Sequence, residues 1–230
     1  MLSKTILNIK TKLQSFIVAG IFKYHRIRKS FYEQIDRYIC LNDNQIRLLI
    51  NIGFDPNKII KKYNFVPDAE ANLKAIKVKE LPERYVVFYG RIGEEKGIKM
   101  LMNIWDELKD IPLVVMGGGP LEVEFKSWAE KQSDVYFLGY TQHDKCLSIV
   151  KGGEFVIFPS IWYEGCSMVE IESESLGKGL IATDLGFSEE AVHNGVNGYK
   201  VKLGDERGFI DIINKLWNNS DECRKIGENA

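Results

Sequence analysis

From residue 85 onward the chain alternates between short apolar runs and longer stretches with a helical period. Continuous apolar runs at 85–89, 113–116, 135–138, 155–158 and 180–183, with a weaker one at 199–201, have the length and type of buried strands. Between them, apolar residues recur at three- and four-residue spacing, which predicts helices at 98–108, 121–132, 143–150, 167–176 and 206–217, and a last one from Asp221. Repeated strand–helix alternation predicts the α/β class: a Rossmann-like parallel sheet with helices on both faces. Ligands of such sheets bind beyond the carboxyl ends of the strands, so the loops after each strand are the ones to read for chemistry.

The first third is patterned differently. Residues 3–35 read as one or two helices, with apolar positions Ile6, Ile9, Leu13, Phe16 and Ile17 and a basic cluster of Lys23, Arg26, Arg28 and Lys29. Residues 36–41 look like a short strand. Asn42 or Asp43 can cap a helix over 45–52, which Gly53 closes, and 58–65 is a second extended run. Residues 66–82 are polar and lack a strong period, as a linker does. A boundary is expected near residue 80, giving regions 1–80 and 81–230.

Composition narrows the class. Of the 230 residues 45% are hydrophobic and 27% charged, enough apolar mass for a core. The net charge of −1 gives no argument for a nucleic-acid partner. It is unevenly spread: residues 1–40 carry eight Lys/Arg and two Asp/Glu, a balance of +6 that leaves −7 for the rest. The four cysteines, Cys40, Cys146, Cys166 and Cys223, stand far apart with no C-x-x-C pair, as suits reduced thiols in a cytosol. His25, His143 and His193 are isolated and expected on the surface. The apolar run 16–22 is too short to span a bilayer, and no signal peptide is expected. A basic amphipathic segment over 1–30 suits peripheral contact with an anionic membrane; the plainer reading is a helix packed on a neighbouring domain.

The central stretch is 155–186. An apolar strand ends at Pro159–Ser160, a loop carries Trp162, Tyr163, Glu164 and Gly165, and a helix starts at Ser167 with Met168, Ile171 and Ser175 on one face. Glu164 precedes the helix and Glu172 lies eight positions later, roughly 10–12 Å along its axis. The helix N-terminus between them offers free N–H groups and a partial positive charge. Carboxylate, anion site, carboxylate fits the sugar, diphosphate and ribose of a nucleotide-sugar; the same residues read equally as an ordinary helix with a capping acid and a solvated Glu.

Other loops add to it. After the first of these strands come Gly90 and Arg91, then Lys96 and Gly97; Arg91 as a planar fork and Lys96 as a point charge suit phosphate oxygens, while taken alone the motif reads better as a solvated loop with a Glu–Lys pair. With the helix N-terminus they would stabilise a departing diphosphate without a metal. After the second strand, Gly117-Gly118-Gly119-Pro120 permits close backbone approach but is not G-x-G-x-x-G, which disfavours a dinucleotide. Gly139-Tyr140-Thr141 follows the third strand, where it would line a base pocket; plain packing accounts for Tyr140 equally well.

The order G-R-x-x-x-x-K-G, G-G-G-P, F-L-G-Y, P-S-x-x-x-E-G, E-x7-E, D-x-G and N-G resembles the retaining glycosyltransferases of family 4, over about residues 36–229. The resemblance implies the GT-B architecture, two Rossmann-like domains facing across a cleft, with 81–230 as the C-terminal, donor-binding part and 1–80 as a remnant of the acceptor-side domain. It assigns Arg91 and Lys96 to the donor diphosphate, Glu164 to the transferred sugar, Glu172 to the ribose hydroxyls, and backbone N–H groups of Gly165, Cys166, Ser167 and Met168 to phosphate and sugar. Glu164, Arg91 and Lys96 are the expected catalytic groups; Gly90 and Tyr140 complete the donor site. The implied activity is transfer of a sugar, of hexosyltransferase type, from a nucleotide-diphosphate-sugar to a saccharide or lipid-linked acceptor in polysaccharide synthesis, with retention and with no metal or other cofactor. The expected location is cytoplasmic, or peripheral at the inner membrane face. The acceptor half is not recognisable, so the chain is expected to be truncated at both ends and to work with the missing domain supplied in trans. The alternatives are a non-catalytic nucleotide-sugar-binding subunit of a split enzyme and a sugar-nucleotide epimerase.

Overall fold

The computed structural model describes residues 12–67 and 72–230. The helical positions Ile6 and Ile9 and linker residues 68–71 lie outside the described residues. The chain divides into two compact units, Met1–Cys40 with Gln45–Lys62, and Leu41–Asn44 with Tyr63–Ala230.

The smaller unit holds α1 (Lys12–Ile27), α2 (Ser30–Glu33) and two three-residue strands, β1 (Tyr38–Cys40) and β2 (Ile59–Lys61), paired in parallel. Between the strands in sequence come α3 (Asp43–Asn51) and a 3-10 turn, Pro56–Lys58, capped by Asp55, whose carboxylate accepts from Asn57 N. The extended run expected over 58–65 is therefore confined to β2. Phe54 packs against the rings of Tyr32 and Tyr38.

The larger unit is built on β3 (Val86–Tyr89), β4 (Leu113–Met116), β5 (Val135–Gly139), β6 (Val156–Phe158), β7 (Leu180–Thr183) and β8 (Gly198–Val201). Among the described residues these form one sheet in the order β5-β4-β3-β6-β7-β8, every pair parallel. The connecting helices are α4 (Ile98–Glu107), α5 (Glu122–Ala129), α6 (His143–Gly152), α7 (Met168–Ser175), α8 (Ser188–Ala191), α9 (Glu206–Trp217) and α10 (Ser220–Glu228). Both faces of the sheet are covered, which is why its strands read as unbroken apolar runs. Val86, Phe88, Leu113 and Val115 pack with Leu101 of α4, Phe125 of α5 and Ile213 of α9. Their alternates Val87, Tyr89, Val114 and Met116 pack with Leu147 and Ile149 of α6. Each such side chain contributes roughly 1.5–3 kcal/mol by leaving water.

The structure differs from the pattern at three helices. The helix expected to run to 132 stops at Ala129, because Lys131 N and Gln132 N turn to the carbonyls of Trp128 and Ala129 in a tighter turn. α8 was not foreseen; four residues are too few to show a period. The face of α7 marked by Met168, Ile171 and Ser175 is its outer one, with Met168 exposed. The buried face carries Glu170, Glu172, Ser173 and Leu176. Polar groups are tolerated there where they find partners, as Glu170 does in the Ser188 hydroxyl.

The strand order places the site. From β3 the chain steps out through β4 and β5, then returns to β6 on the other side of β3. The loops after β3 and β6 thus leave a switch point in opposite directions and open a crevice between them. Among the described residues no helix is long and apolar enough to cross a membrane.

Candidate functional site

The two loops at the switch point are locked together through backbone. Gly97 ends the β3 loop with φ of 70°, and a Cβ there would lie 2.0 Å from the carbonyl oxygen of Pro159 in the β6 loop. Ile161 N donates to Glu95 O at 3.0 Å, and the Ser160 hydroxyl points at the same oxygen at 3.1 Å. The triple glycine after β4 backs this pair. Ile92 N donates to Gly118 O at 3.0 Å, and a Cβ on Gly117 would lie 1.8 Å from Gly90 O. The close approach that Gly117 permits is thus to the neighbouring loop.

This scaffold brings Lys96 Nζ to 2.6 Å from Glu164 Oε1, with both side chains largely shielded. Ser160 Oγ lies 2.9 Å from the same carboxylate oxygen. Lys96 also sits 5.4 Å from the centre of the Phe158 ring, where the π face favours a cation. Arg91 is more exposed and pairs with Glu95 Oε1 at 3.1 Å.

Beside the pair, the β3, β4 and β5 loops enclose a cleft of about 350 Å³, lined by Gly90, Arg91, Gly118, Tyr140, Thr141 and His143. Tyr140 is 85% exposed, a free ring at its mouth. Glu172 lies inward on α7, 6% exposed, with His143 Nε2 3.8 Å from its Oε1. Burial, and then the Glu172 charge, push the Cys146 thiol up to about 12 and hold the Tyr89 phenol well above its usual range. Both causes disfavour the Cys146 thiolate, the form that attacks. A larger hollow of about 540 Å³ lies at the opposite, amino end of the strands. Its lysines already bind carbonyls, Lys151 that of Leu176 at 2.7 Å and Lys178 that of Gly153 at 2.6 Å, so the β3–β6 crevice is the better candidate.

The peptide groups between Glu164 and α7 are oriented by distant side chains. Asn42 Nδ2 donates to Glu164 O and Gly165 O at 3.2 and 2.6 Å, Asn64 Nδ2 to Cys166 O at 2.8 Å, and Phe187 N to Glu164 O at 3.1 Å. With these carbonyls held, the N–H groups of Gly165, Cys166, Ser167 and Met168 have no acceptor among the described residues. They are ready to receive an anion at the positive end of α7.

Of the residues singled out from the sequence, Gly90, Arg91 and Tyr140 line the cleft, Lys96 and Glu164 meet in the ion pair, and Glu172 stands beneath His143. The Cys166 side chain instead faces a separate cavity with Tyr63 and Phe187, and the Met168 side chain is solvent-exposed, so both offer the site only backbone. Sequence reasoning passed over His143, whose place directly after the β5 loop was the available signal. It also missed Asn42 and Asn64, which carry no local signal because they act across 122 and 102 residues.

Beneath the site, Glu170 is fully buried. Ser188 Oγ donates to its Oε1 at 2.5 Å, while Oε2 is buried with no hydrogen-bond partner. Burial raises this carboxyl to about 8, against the lowering effect of the Ser188 bond. Burial likewise raises Glu174 to about 7.

Residues 70–230 match the family model of glycosyl transferases group 1. The chain is 26% identical over 152 residues to O-antigen chain mannosyltransferase C of Escherichia coli, covering 64% of this chain and 41% of that protein. It is 24% identical over 155 residues to D-rhamnosyltransferase WbpZ of Pseudomonas aeruginosa, covering 66% and 40%. Among solved structures, Alr3699/HepE of Anabaena, determined in complex with UDP, superposes with a TM-score of 0.74 at 19% identity, covering 84% of this chain and 57% of that one, a likeness of fold. The chain spans about half the length of these relatives.

Proposed function

The chain belongs to the glycosyl transferases group 1 family, and on that premise we propose that it forms the donor half of a retaining family-4 enzyme, binding a nucleotide-diphosphate-sugar in the β3–β6 crevice. The observation that carries this reading is the Lys96–Glu164 ion pair of 2.6 Å at the switch point, with Glu164 in the same loop as the backbone N–H groups of Gly165, Cys166, Ser167 and Met168, which have no acceptor among the described residues. A diphosphate fits between them. Lys96, Arg91 and the N–H groups would hold its oxygens by charge-assisted hydrogen bonds. The base would enter the cleft beside Tyr140, and Glu172 would receive the ribose hydroxyls. HepE, similar in fold, was determined in complex with UDP, which supports a nucleotide as ligand.

Transfer breaks the bond between the anomeric carbon and the diphosphate oxygen, forms one from that carbon to an acceptor hydroxyl oxygen, and passes the hydroxyl proton to the departing diphosphate. Negative charge grows on the departing diphosphate, so donors fixed in place beforehand stabilise the transition state more than the ground state. The Lys96 ammonium is paired with the Glu164 carboxylate at 2.6 Å. Diphosphate would compete for the ammonium and release the Glu164 carboxylate toward the sugar. The acceptor, a saccharide or lipid-linked saccharide, and the second domain needed to enclose it belong to the same proposal. Calorimetric titration with UDP-, GDP- and ADP-sugars tests it: one should bind with measurable heat, and silence from all three would sink the reading.

A further inference from the structure

α6 begins at His143, and Cys146 N donates to Gln142 O at 2.8 Å to close its first turn. His143 and Cys146 stand three positions apart, so they share a helix face, and both line the cleft. Leu147, Ile149 and Val150 of the same helix are buried against the sheet, which fixes the direction of that face. The Cys146 side chain is buried and the His143 side chain half-exposed. From α7, Glu172 comes to the same place. Three cleft-lining side chains lie close to its carboxylate. Two are the Tyr89 phenol and the Cys146 thiol, both held up by burial and then by the Glu172 charge. The third is His143, with Nε2 3.8 Å from Oε1 of Glu172. The Tyr89 hydroxyl is taken up by Val169 O at 2.9 Å, and a thiol is a weak donor. The imidazole is therefore the group beside Glu172 that can offer an N–H to a ligand in the cleft.

We propose that His143 is a specificity-determining residue of the nucleotide site, its imidazole donating to the ribose diol that Glu172 accepts from. This rests on the donor-site reading above. Glu172's part belongs to that reading, and His143 adds the second arm. A carboxylate only accepts hydrogen bonds, whereas a hydroxyl both donates and accepts. Glu172 alone would satisfy half of what each hydroxyl offers, and an imidazole N–H beside it supplies the other half. The 3.8 Å between the two groups exceeds a hydrogen bond, yet one hydroxyl oxygen set between them reaches both at ordinary length. A ribose brings two neighbouring hydroxyls to this pair. A 2′-deoxyribose leaves one arm unanswered, and a site built to meet a hydroxyl rejects the analogue that lacks it.

The test compares whichever of UDP, GDP or ADP binds the intact chain in calorimetry with its 2′-deoxy counterpart. His143→Phe keeps a flat ring and drops the N–H groups. It should weaken the ribonucleotide about tenfold, the worth of one hydrogen bond, and the 2′-deoxynucleotide by less. His143→Gln keeps a donor and should recover most of the loss. In the double variant with Glu172→Ala the losses should fall short of their sum, because both arms serve one diol. A second readout needs no variant to bind. The chain has three histidines, and the ring protons of His143 are assigned by their absence from the His143→Gln proton spectrum. In the parent chain these signals should move on adding the ribonucleotide and move less with the 2′-deoxynucleotide. Equal losses for the two nucleotides in His143→Phe would put the imidazole against the base or the phosphates and overturn the proposal. Ring signals that neither nucleotide moves, with binding intact, would overturn it as well, and both results spare the donor site. A parent chain that binds none of the three nucleotides removes the donor-site reading and this proposal together.

Discussion

Gly97 and Pro159 touch backbone to backbone: a methyl group at Gly97 would stand 2.0 Å from the Pro159 carbonyl oxygen. That contact ties the loop carrying Lys96 to the loop carrying Glu164. Gly97→Ala should destabilise the chain by about 2–3 kcal/mol, from the positive φ and the clash together. Gly204, at φ of 80° but in open space, is the control, and its alanine variant should show the φ cost alone. Chemical denaturation midpoints compare the two. Equal effects at both positions would remove the inter-loop contact as an explanation.

Lys96 and Glu164 should separate in their effects on binding. Lys96→Met should weaken nucleoside diphosphate affinity about 10- to 100-fold, the worth of one charge-assisted hydrogen bond, and weaken the monophosphate less. Glu164→Gln frees the ammonium and should leave diphosphate affinity equal or tighter, while losing discrimination among donor sugars. Calorimetry with each ligand reports both. A loss of diphosphate affinity in Glu164→Gln would reverse the assignment of roles.

Glu172 sits inward beneath the cleft, 3.8 Å from His143. Glu172→Ala should cost the ribonucleotide about 10- to 100-fold in affinity, from loss of hydrogen bonds to a charged acceptor. The 2′-deoxynucleotide should lose less. An equal loss for both sugars would place Glu172 away from the ribose.

Glu170 should make stability fall as pH rises. Its carboxyl is raised to about 8 in the folded chain from an ordinary value of 4.5. Across that interval the folded state holds a proton that the unfolded state has released. Its stabilising contribution is complete below pH 4.5 and is lost as pH climbs through 8, with a slope of up to about 1.4 kcal/mol per pH unit. Glu174, raised to about 7, acts in the same direction. Urea midpoints between pH 5 and 8 should decline in the parent and decline less in Glu170→Gln, which keeps the shape without the titration. Parallel curves would show that Glu170 is ionised in the folded chain.

The α/β class was legible because each sheet strand is buried on both faces and each long helix on one. Runs such as 113–116 and the period of Glu206–Trp217 record those burials locally. The candidate-site residues were legible in kind, since Arg91, Lys96 and Glu164 bear charge beside glycines in the loops after strands, and Glu172 follows in the next helix. Polar burial was not. A glutamate at 170 looks like any surface acid until Ser188, eighteen residues on, folds over it.

The sequence by itself determined the sheet strands and long helices, their parallel sense and the edge on which the charged loops gather, because burial pattern and turn chemistry act over a few residues. Only the tertiary structure decided which loops become neighbours. The return from β5 to β6 beside β3 sets Lys96 against Glu164 across 68 residues. Asn42 and Asn64 orient the peptides that lead into α7 from still farther away. Hydrogen bonds of that span depend on strand order, and strand order leaves no periodic trace along the chain.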